Sequence, residues 1–223
     1  MSTNERPILT YLPNRGLAEP VRLVLAAAEI EWTEINVRTP EQMAEYRNSL
    51  LTFGQLPLLQ WCGVNVVQSK AIVRFVARKC NLAGRTQDEA FRIDMLCEGA
   101  RDFLHPFAYH KFCADNQVMP LAAKTCDKFL PIYEQILKES KSGFLVGDQI
   151  SVADSDLLVS LVHTSELFPE KLQQYPVLAA YLERMKARPG FAKYFASPYF
   201  LPPNTEEIVK QVNRTLSIFE WHL

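Results

Sequence analysis

Residues 53–78 read FGQLPLLQWCGVNVVQSKAIVRFVAR, and this stretch decides how the chain is interpreted. Two short apolar segments, 58–61 and 64–67, flank a turn at Gly63 and predict a β-hairpin. Apolar residues then recur at helical spacing from Ser69 onward. The stretch therefore predicts two strands that lead directly into an amphipathic helix.

The junction between hairpin and helix, Gln68-Ser69, is a candidate binding site. The first N–H groups of a helix have no partner within the helix and can hold an anion. Ser69 is the predicted N-cap, and its hydroxyl can either cap the helix or bind a ligand carboxylate. Taken alone, the pair is better explained as a capped helix without any ligand.

Leu56 and Pro57 add a second feature to this site. A residue before proline is kept extended, so Leu56 can pair its N–H and C=O with the backbone of a ligand. A cis Leu56–Pro57 bond would point these groups out of the sheet edge. Together with Gln68 and Ser69, the dipeptide predicts a site for a small anionic peptide.

The part of the chain before this stretch alternates between strand and helix patterns. Residues 7–12 and 32–37 are predicted strands, and residues 17–28 and 40–48 are predicted helices. The resulting order, β-α-β-α-β-β-α, predicts a small sheet with helices on its faces.

After a polar linker at 81–88, the chain shows helical periodicity alone. The predicted helices are residues 89–114, 121–139, 152–163, 175–187, 190–195 and 205–219. The predicted fold class is therefore a small α/β domain at residues 1–82, followed by an all-helical (all-α) domain at residues 89–223.

Composition excludes several classes of protein. The chain has 223 residues, of which 48% are hydrophobic and 22% charged, as in ordinary globular proteins. A net charge of −1 without a basic stripe makes nucleic acid and anionic membranes poor partners. No apolar run approaches the roughly 20 residues of a membrane helix. Residues 1–6 lack the apolar core of a signal peptide, so we expect a cytoplasmic protein.

Cysteine and histidine spacing does not predict a metal site. The five cysteines are well separated and contain no Cys-x-x-Cys pair, which fits neither a disulfide framework nor a zinc site. His105 and His110 are five residues apart, which is poor spacing for two ligands on one helix. We expect no bound metal and reduced thiols.

Tyr11 is the candidate catalytic residue. It ends the first predicted strand, where open α/β sheets bind ligands, and its phenol can donate a hydrogen bond to a developing anion. A tyrosine that lies in the core and bonds a backbone carbonyl is the alternative. The nearby segment 55–57 and the Gln68-Ser69 pair favour the ligand-binding interpretation.

These motifs resemble the cytosolic glutathione transferases, and specifically the tyrosine-type alpha, mu, pi and sigma group. The similarity covers nearly the whole chain. It rests on the turn at 11–15, on 54–57, on Gln68-Ser69 with Ala71-Ile72, and on residues 146–154. In the last segment Ser151 and Asp154 have the spacing of a capping box, which in this family begins the central helix.

The resemblance implies a thioredoxin-like N-terminal domain that binds glutathione as co-substrate. Leu56 would pair with the cysteinyl backbone, Gln68 and Ser69 would hold the γ-glutamyl carboxylate, and Tyr11 would hydrogen-bond the sulfur. The implied glutathione-binding residues are Tyr11, Arg47, Gln55, Leu56, Pro57, Gln68, Ser69 and Asp102.

Two of these residues also have simpler interpretations. Arg47 is assigned to the glycyl carboxylate, although an ordinary surface arginine would look the same. Asp102 is assigned to the glutamyl amino group across a dimer interface, although a solvated helix carboxylate is equally consistent with the sequence.

The resemblance further implies a homodimer and a hydrophobic second-substrate pocket between the domains. Phe53 would be an aromatic anchor at the dimer interface. The last helix would form a lid over the pocket, or would simply lie against the core. The implied pocket residues are Leu12, Pro13, Phe107, His110, Lys111 and Phe219.

The implied function is transfer of the glutathione thiolate to hydrophobic electrophiles, a detoxification reaction. The phenol of Tyr11 would lower the pKa of the thiol. The alternatives are a glutathione-dependent isomerase or peroxidase, and a non-catalytic ligand-binding or crystallin-like protein.

One departure from the family concerns the residue two positions after Arg15. Alpha, pi and sigma members have a second arginine there, whereas this chain has Leu17, as mu members do. We therefore expect a less activated thiolate, with Tyr11 providing more of the stabilisation. Arg15 is expected to pair with Glu19 or another carboxylate.

Overall fold

A four-stranded mixed sheet forms the N-terminal part of the computed structural model, which describes residues 5–108, 110–113 and 115–218. The strands are β1 (Ile8–Tyr11), β2 (Thr33–Asn36), β3 (Leu58–Trp61) and β4 (Val64–Val67), in the spatial order β2-β1-β3-β4. β1 pairs parallel with β2 and antiparallel with β3, and β3 pairs antiparallel with β4. The predicted hairpin is confirmed.

Helices cover the sheet and form the rest of the described chain. They are α1 (Glu19–Ala27, after a 3-10 turn at Gly16–Ala18), α2 (Pro40–Ser49), α3 (Ser69–Lys79), α4 (Gln87–Ala108), α5 (Asp115–Glu139), α6 (Val152–Leu167), α7 (Pro169–Leu172), α8 (Pro176–Lys186), α9 (Pro189–Phe195) and α10 (Glu206–Thr215). The predicted fold class is confirmed: a thioredoxin-like α/β part precedes a helical part. The domain limits at residues 82 and 89 stay a prediction.

Several helix boundaries in the helical part were predicted wrongly. α6 ends at residue 167 rather than 163, and α10 ends at residue 215 rather than 219. α4 ends at residue 108 rather than 114, because Pro106 occupies its last turn and Lys111 then takes a φ of +69°. α5 begins at residue 115 rather than 121. Pro120 lies early in this helix, where its missing N–H removes one backbone hydrogen bond.

α6 is the central helix of the helical part, and all of its residues from 152 to 162 are buried. The predicted capping box at its start is present: a carboxylate oxygen of Asp154 accepts from the N–H and from the hydroxyl of Ser151, both at 2.8 Å. Its other oxygen accepts from the Leu145 N–H and the Tyr181 hydroxyl. Burial raises the pKa of Asp154, and these hydrogen bonds oppose that rise.

A buried ionic network connects the sheet to the helical part. Arg22 of α1 is fully buried and pairs with Glu19 and Glu34. The hydroxyl of Tyr194 in α9 donates to Glu19 at 2.7 Å. Since one unpaired member would leave a buried charge, the network fixes α1 against β2 and α9.

Within the described ranges, no helix has the length and apolar character needed to cross a bilayer. The same residues contain no group of three or more His, Cys, Asp or Glu placed to hold a metal ion. All five cysteines are free thiols.

Candidate functional site

Tyr11 lies at the end of β1, and its side chain is only 6% exposed. Its phenol oxygen accepts a hydrogen bond from the N–H of Leu17 at 2.9 Å. Gly16 has a φ of +39°, and a Cβ placed there would lie 2.5 Å from the phenol oxygen. The turn after β1 therefore wraps around the phenol. At position 16 the backbone comes so close to the phenol that only glycine fits. Because the oxygen is the acceptor of this bond, the bond does not use the phenol's own hydrogen.

Arg15 fastens this turn to the helical part of the chain. Its Nη1 contacts a carboxylate oxygen of Glu166 at 2.7 Å, and its Nε donates to the carbonyl of Leu201 at 2.6 Å. Its guanidinium also lies 4.4 Å from the centre of the Phe200 ring. Arg15 thus pairs with a carboxylate, as expected, but with Glu166 rather than Glu19.

α3 begins at Ser69, as predicted, but its N-cap residue is Gln68 rather than Ser69. Gln68 has a φ of +69°, and its side-chain amide donates to the side-chain oxygen of Gln55 at 3.0 Å. The first backbone bond of α3 runs from the N–H of Ile72 to the carbonyl of Gln68. The N–H groups of residues 69–71 therefore lie at the open end of the helix.

The Leu56–Pro57 bond is cis, as the sequence suggested. Leu56 is half-buried and Gln55 is exposed. Since Gln55 touches Gln68, the structure brings residues 55–57 and the start of α3 together at the open end of the β3–β4 hairpin.

Arg47 lies in the last turn of α2 and is exposed. Its side chain passes beside Gly54: a Cβ on that glycine would lie 3.5 Å from Cγ and 3.6 Å from Nε of Arg47. The structure therefore places a cation next to the loop that carries Gln55.

Asp102 is exposed on α4, at the end of a row of acidic residues that faces α3. Within this row, Asp94 contacts Arg74 at 3.4 Å and Glu98 contacts Lys70. Residues four apart share one face of a helix, so Asp102 lies one turn beyond Glu98. Because α3 and α4 run antiparallel along this row, that turn lies towards the start of α3.

A small cavity lies between the turn after β1, the end of α4, the end of α6 and the segment before α10. Its volume is about 20 Å³, enough for one water-sized group. The lining residues are Arg15, Gly16, Phe107, Ala108, His110, His163, Glu166, Leu167, Pro203 and Asn204.

Of the predicted pocket residues, Phe107 and His110 line this cavity. Leu12 and Pro13 are buried in the turn after β1, and Lys111 is exposed; none of the three is among the lining residues. Phe219 lies outside the described residues.

Sequence reasoning missed His163 and Glu166, which reach the cavity from the end of α6. The ring of His163 stacks on Phe107 with 5.8 Å between centroids. Burial, and then the neighbouring Arg15 and His110, lower the pKa of His163 to about 3. Its imidazole is therefore neutral near neutral pH. The available signal was a histidine within the long apolar run of α6.

Large apolar side chains are exposed at the sheet edge and on the outer helices. Phe53, in the loop before β3, is 65% exposed. Phe91 and Met95 of α4 and Ile132 of α5 are also exposed. Met95 lines a groove of about 490 Å³ between α4, α5 and the loop that follows α5. Exposed side chains of this kind are candidates for contact with another protein.

Comparison with known proteins agrees with this geometry. Residues 7–78 match the family described as "Glutathione S-transferase, N-terminal domain", and residues 101–198 match "Glutathione S-transferase, C-terminal domain". The curated protein Glutathione S-transferase alpha-3 of Rattus norvegicus is 33% identical over 219 residues, which cover 96% of this chain and 98% of that protein.

Two solved structures show the same similarity in three dimensions. The glutathione S-transferase of Ascaris lumbricoides has a TM-score of 0.77 at 30% identity, covering 90% of this chain and 100% of its own. Na-GST-3, from the hookworm Necator americanus, has a TM-score of 0.77 at 29% identity, covering 91% and 100%. The latter is described as monomeric.

Proposed function

This chain belongs to the glutathione S-transferase family, and we propose that Tyr11 activates the thiol of glutathione for transfer to hydrophobic electrophiles. The family assignment makes the protein a transferase that uses glutathione, with detoxification as its general role. The residue roles that follow are our proposal.

The position of the Tyr11 phenol carries this proposal. Its oxygen is fixed by the Leu17 N–H, and Gly16 leaves room around it that no larger residue would leave. A phenol that donates to sulfur stabilises the thiolate over the thiol and so lowers the thiol pKa. The thiolate is the nucleophile that attacks the electrophilic carbon.

Glutathione is proposed to lie along the edge of the sheet between residues 55–57 and the start of α3. Leu56 pairs with the cysteinyl backbone, and Pro57 orients it. The γ-glutamyl carboxylate lies at the open end of α3, where N–H groups of residues 69–71 and the Ser69 hydroxyl can donate to it. The contact between Gln55 and Gln68 supports this placement, because it holds both sides of the site together.

The two ends of the tripeptide are assigned to charged residues. Arg47, beside Gly54, pairs with the glycyl carboxylate. Asp102 pairs with the glutamyl amino group of glutathione bound to a partner subunit. Its exposure on the α4 face towards α3 supports the assignment, because an exposed carboxylate can reach another chain.

The electrophile is proposed to bind between the domains, next to Tyr11. Phe107 and His110 line the cavity there, and Leu12 and Pro13 belong to the adjoining turn. Lys111 and Phe219 complete the proposed pocket. Since the cavity holds about one water-sized group, binding of a larger electrophile requires the C-terminal segment to move.

A homodimer is proposed, with Phe53 as an anchor in the interface. Its exposure of 65%, together with exposed Phe91, Met95 and Ile132, supports this, because large apolar side chains are costly to leave in water. A two-fold arrangement would let each Phe53 insert between α4 and α5 of the partner. Na-GST-3 has a similar structure and is described as monomeric, so the oligomeric state of the present chain should be measured directly.

Two further proposals concern the chain as a whole. We place it in the cytoplasm, since its cysteines are free thiols and its substrate is a reduced thiol. We also place the division between its domains at residues 82–89.

Retention on immobilised glutathione, combined with turnover of 1-chloro-2,4-dinitrobenzene, tests the proposed function. We expect both binding and turnover in the wild type. Binding without turnover of any electrophile would indicate a non-catalytic carrier, and would overturn the catalytic role of Tyr11. Absence of binding would overturn the proposed site itself.

A further inference from the structure

His163 differs from the other polar residues of α6. The hydroxyls of Ser160, Thr164 and Ser165 each donate to a backbone carbonyl. Among the described residues, His163 has no hydrogen-bond partner for either ring nitrogen, and its contact is the stack on Phe107. The half-buried ring can therefore take a water or a ligand as its hydrogen-bond partner.

The cavity is the place where that partner can lie. The charged groups that line it with His163 are already engaged, since Arg15 pairs with Glu166. The amide of Asn204 donates to the carbonyl of His110 at 3.4 Å. The volume of about 20 Å³ fits one oxygen-sized group.

The cavity also adjoins the phenol. Gly16 lines the cavity, and a Cβ on it would lie 2.5 Å from the Tyr11 oxygen. An oxygen atom bound in this cavity therefore lies beside the turn that surrounds the Tyr11 phenol.

We propose that His163 is a specificity-determining residue that donates a hydrogen bond to the carbonyl oxygen of a conjugated electrophile. The inference rests on the proposed function. It concerns which electrophiles the transferase prefers: those with a conjugated carbonyl over those whose reacting carbon has no oxygen acceptor.

The reaction gives this hydrogen bond a catalytic effect. The thiolate forms a carbon–sulfur bond at the β-carbon, the C=C electron pair moves towards the carbonyl, and negative charge develops on its oxygen. The resulting enolate then takes a proton from water at the α-carbon. A fixed donor is worth more to the charged oxygen than to the neutral carbonyl, so it accelerates the addition. A neutral imidazole supplies that donor and remains available near neutral pH.

The test compares a medium-chain 2-alkenal with benzyl chloride, which has no oxygen acceptor. In His163→Phe, which keeps a ring to stack on Phe107, we expect kcat/KM for the alkenal to fall about tenfold or more, mainly in kcat. Turnover of benzyl chloride should stay within about twofold. His163→Gln, which keeps an N–H donor, should recover part of the alkenal activity.

If His163→Phe lowers kcat/KM equally for both electrophiles, the inference is overturned and the proposed function still stands. If the wild type turns over neither electrophile, both fail together. A measurement on the wild type does not depend on whether the variants fold. The ¹⁵N chemical shifts of the His163 ring should change when the alkenal conjugate of glutathione binds, and should not change when S-benzylglutathione binds. Identical shifts with both conjugates would contradict the hydrogen bond.

Discussion

Gly16 and Tyr11 are in contact across the turn after β1: any Cβ on the glycine would lie 2.5 Å from the phenol oxygen. The glycine also has a φ of +39°, where L-residues are strained. The position of the proposed catalytic oxygen therefore depends on a residue that has no side chain.

Gly16→Ala should consequently displace the phenol and reduce transferase activity by about tenfold or more, at a cost of roughly 1–3 kcal/mol in stability. Gly63→Ala is the matched control. Its φ of +74° imposes similar strain, but nothing lies within 4 Å of its Cβ position. Activity and urea unfolding should be measured for both. Equal activity in the two variants would contradict a positioning role for Gly16.

Leu17→Arg should lower the pKa of bound glutathione. Leu17 is 44% exposed, and its N–H bonds the Tyr11 oxygen, so a guanidinium at this position would lie near the proposed thiolate. A nearby positive charge favours the ionised form. Titration of the thiolate absorbance in the ultraviolet measures the shift, with Leu17→Met as the uncharged control. An unchanged or higher pKa in the arginine variant would reject this prediction.

Phe53→Ser should shift the protein from dimer towards monomer, because the substitution removes the proposed anchor. Burying such a ring is worth about 2 kcal/mol. Val64→Ser, which changes another exposed apolar residue of the same part of the chain, should leave the dimer intact. Sedimentation velocity over a range of concentrations distinguishes them. A serine variant that dimerises as strongly as the wild type would remove Phe53 from the interface.

His163 should make the folded protein less stable in acid. Its pKa falls from an ordinary 6.5 to about 3 on folding, mainly because of burial. Between these values the unfolded chain binds a proton that the folded protein does not, so stability decreases as pH falls through this window. His163→Phe should lose less stability between pH 6.5 and about 3. Urea unfolding at several pH values measures this difference. If the free energy of unfolding depends on pH equally in the two proteins, His163 is not held neutral in the folded state.

Local patterns were sufficient for much of the fold. The hairpin, α3 and the capping box at Ser151 depend on neighbouring residues, and each was predicted from them. The end of α4 was missed because the prediction continued the helix past Pro106. The start of α5 was missed because Pro120 lies within the helix, where tertiary contacts outweigh the usual effect of proline. α7, with four residues, is too short to show periodicity.

The parts of the candidate site whose residues are close in sequence could be predicted. The parts formed by residues far apart in sequence could not. Gln55 and Gln68 flank the same hairpin and were expected together. Glu166 and His163 reach the turn after β1 only because α6 is packed against α1, a contact between residues far apart in sequence. Spacing along the chain holds no information about that contact.

The central claim is tested most directly by the pKa of the glutathione thiol bound to the wild type and to Tyr11→Phe. Tyr133→Phe is the control, since it removes a buried phenol that donates to the Leu96 carbonyl, away from the site. We expect the wild type and the control to bind the thiol with a lowered pKa. In Tyr11→Phe the pKa should return towards that of free glutathione, with a matching loss of kcat. A thiol that remains equally acidic in Tyr11→Phe would contradict the account.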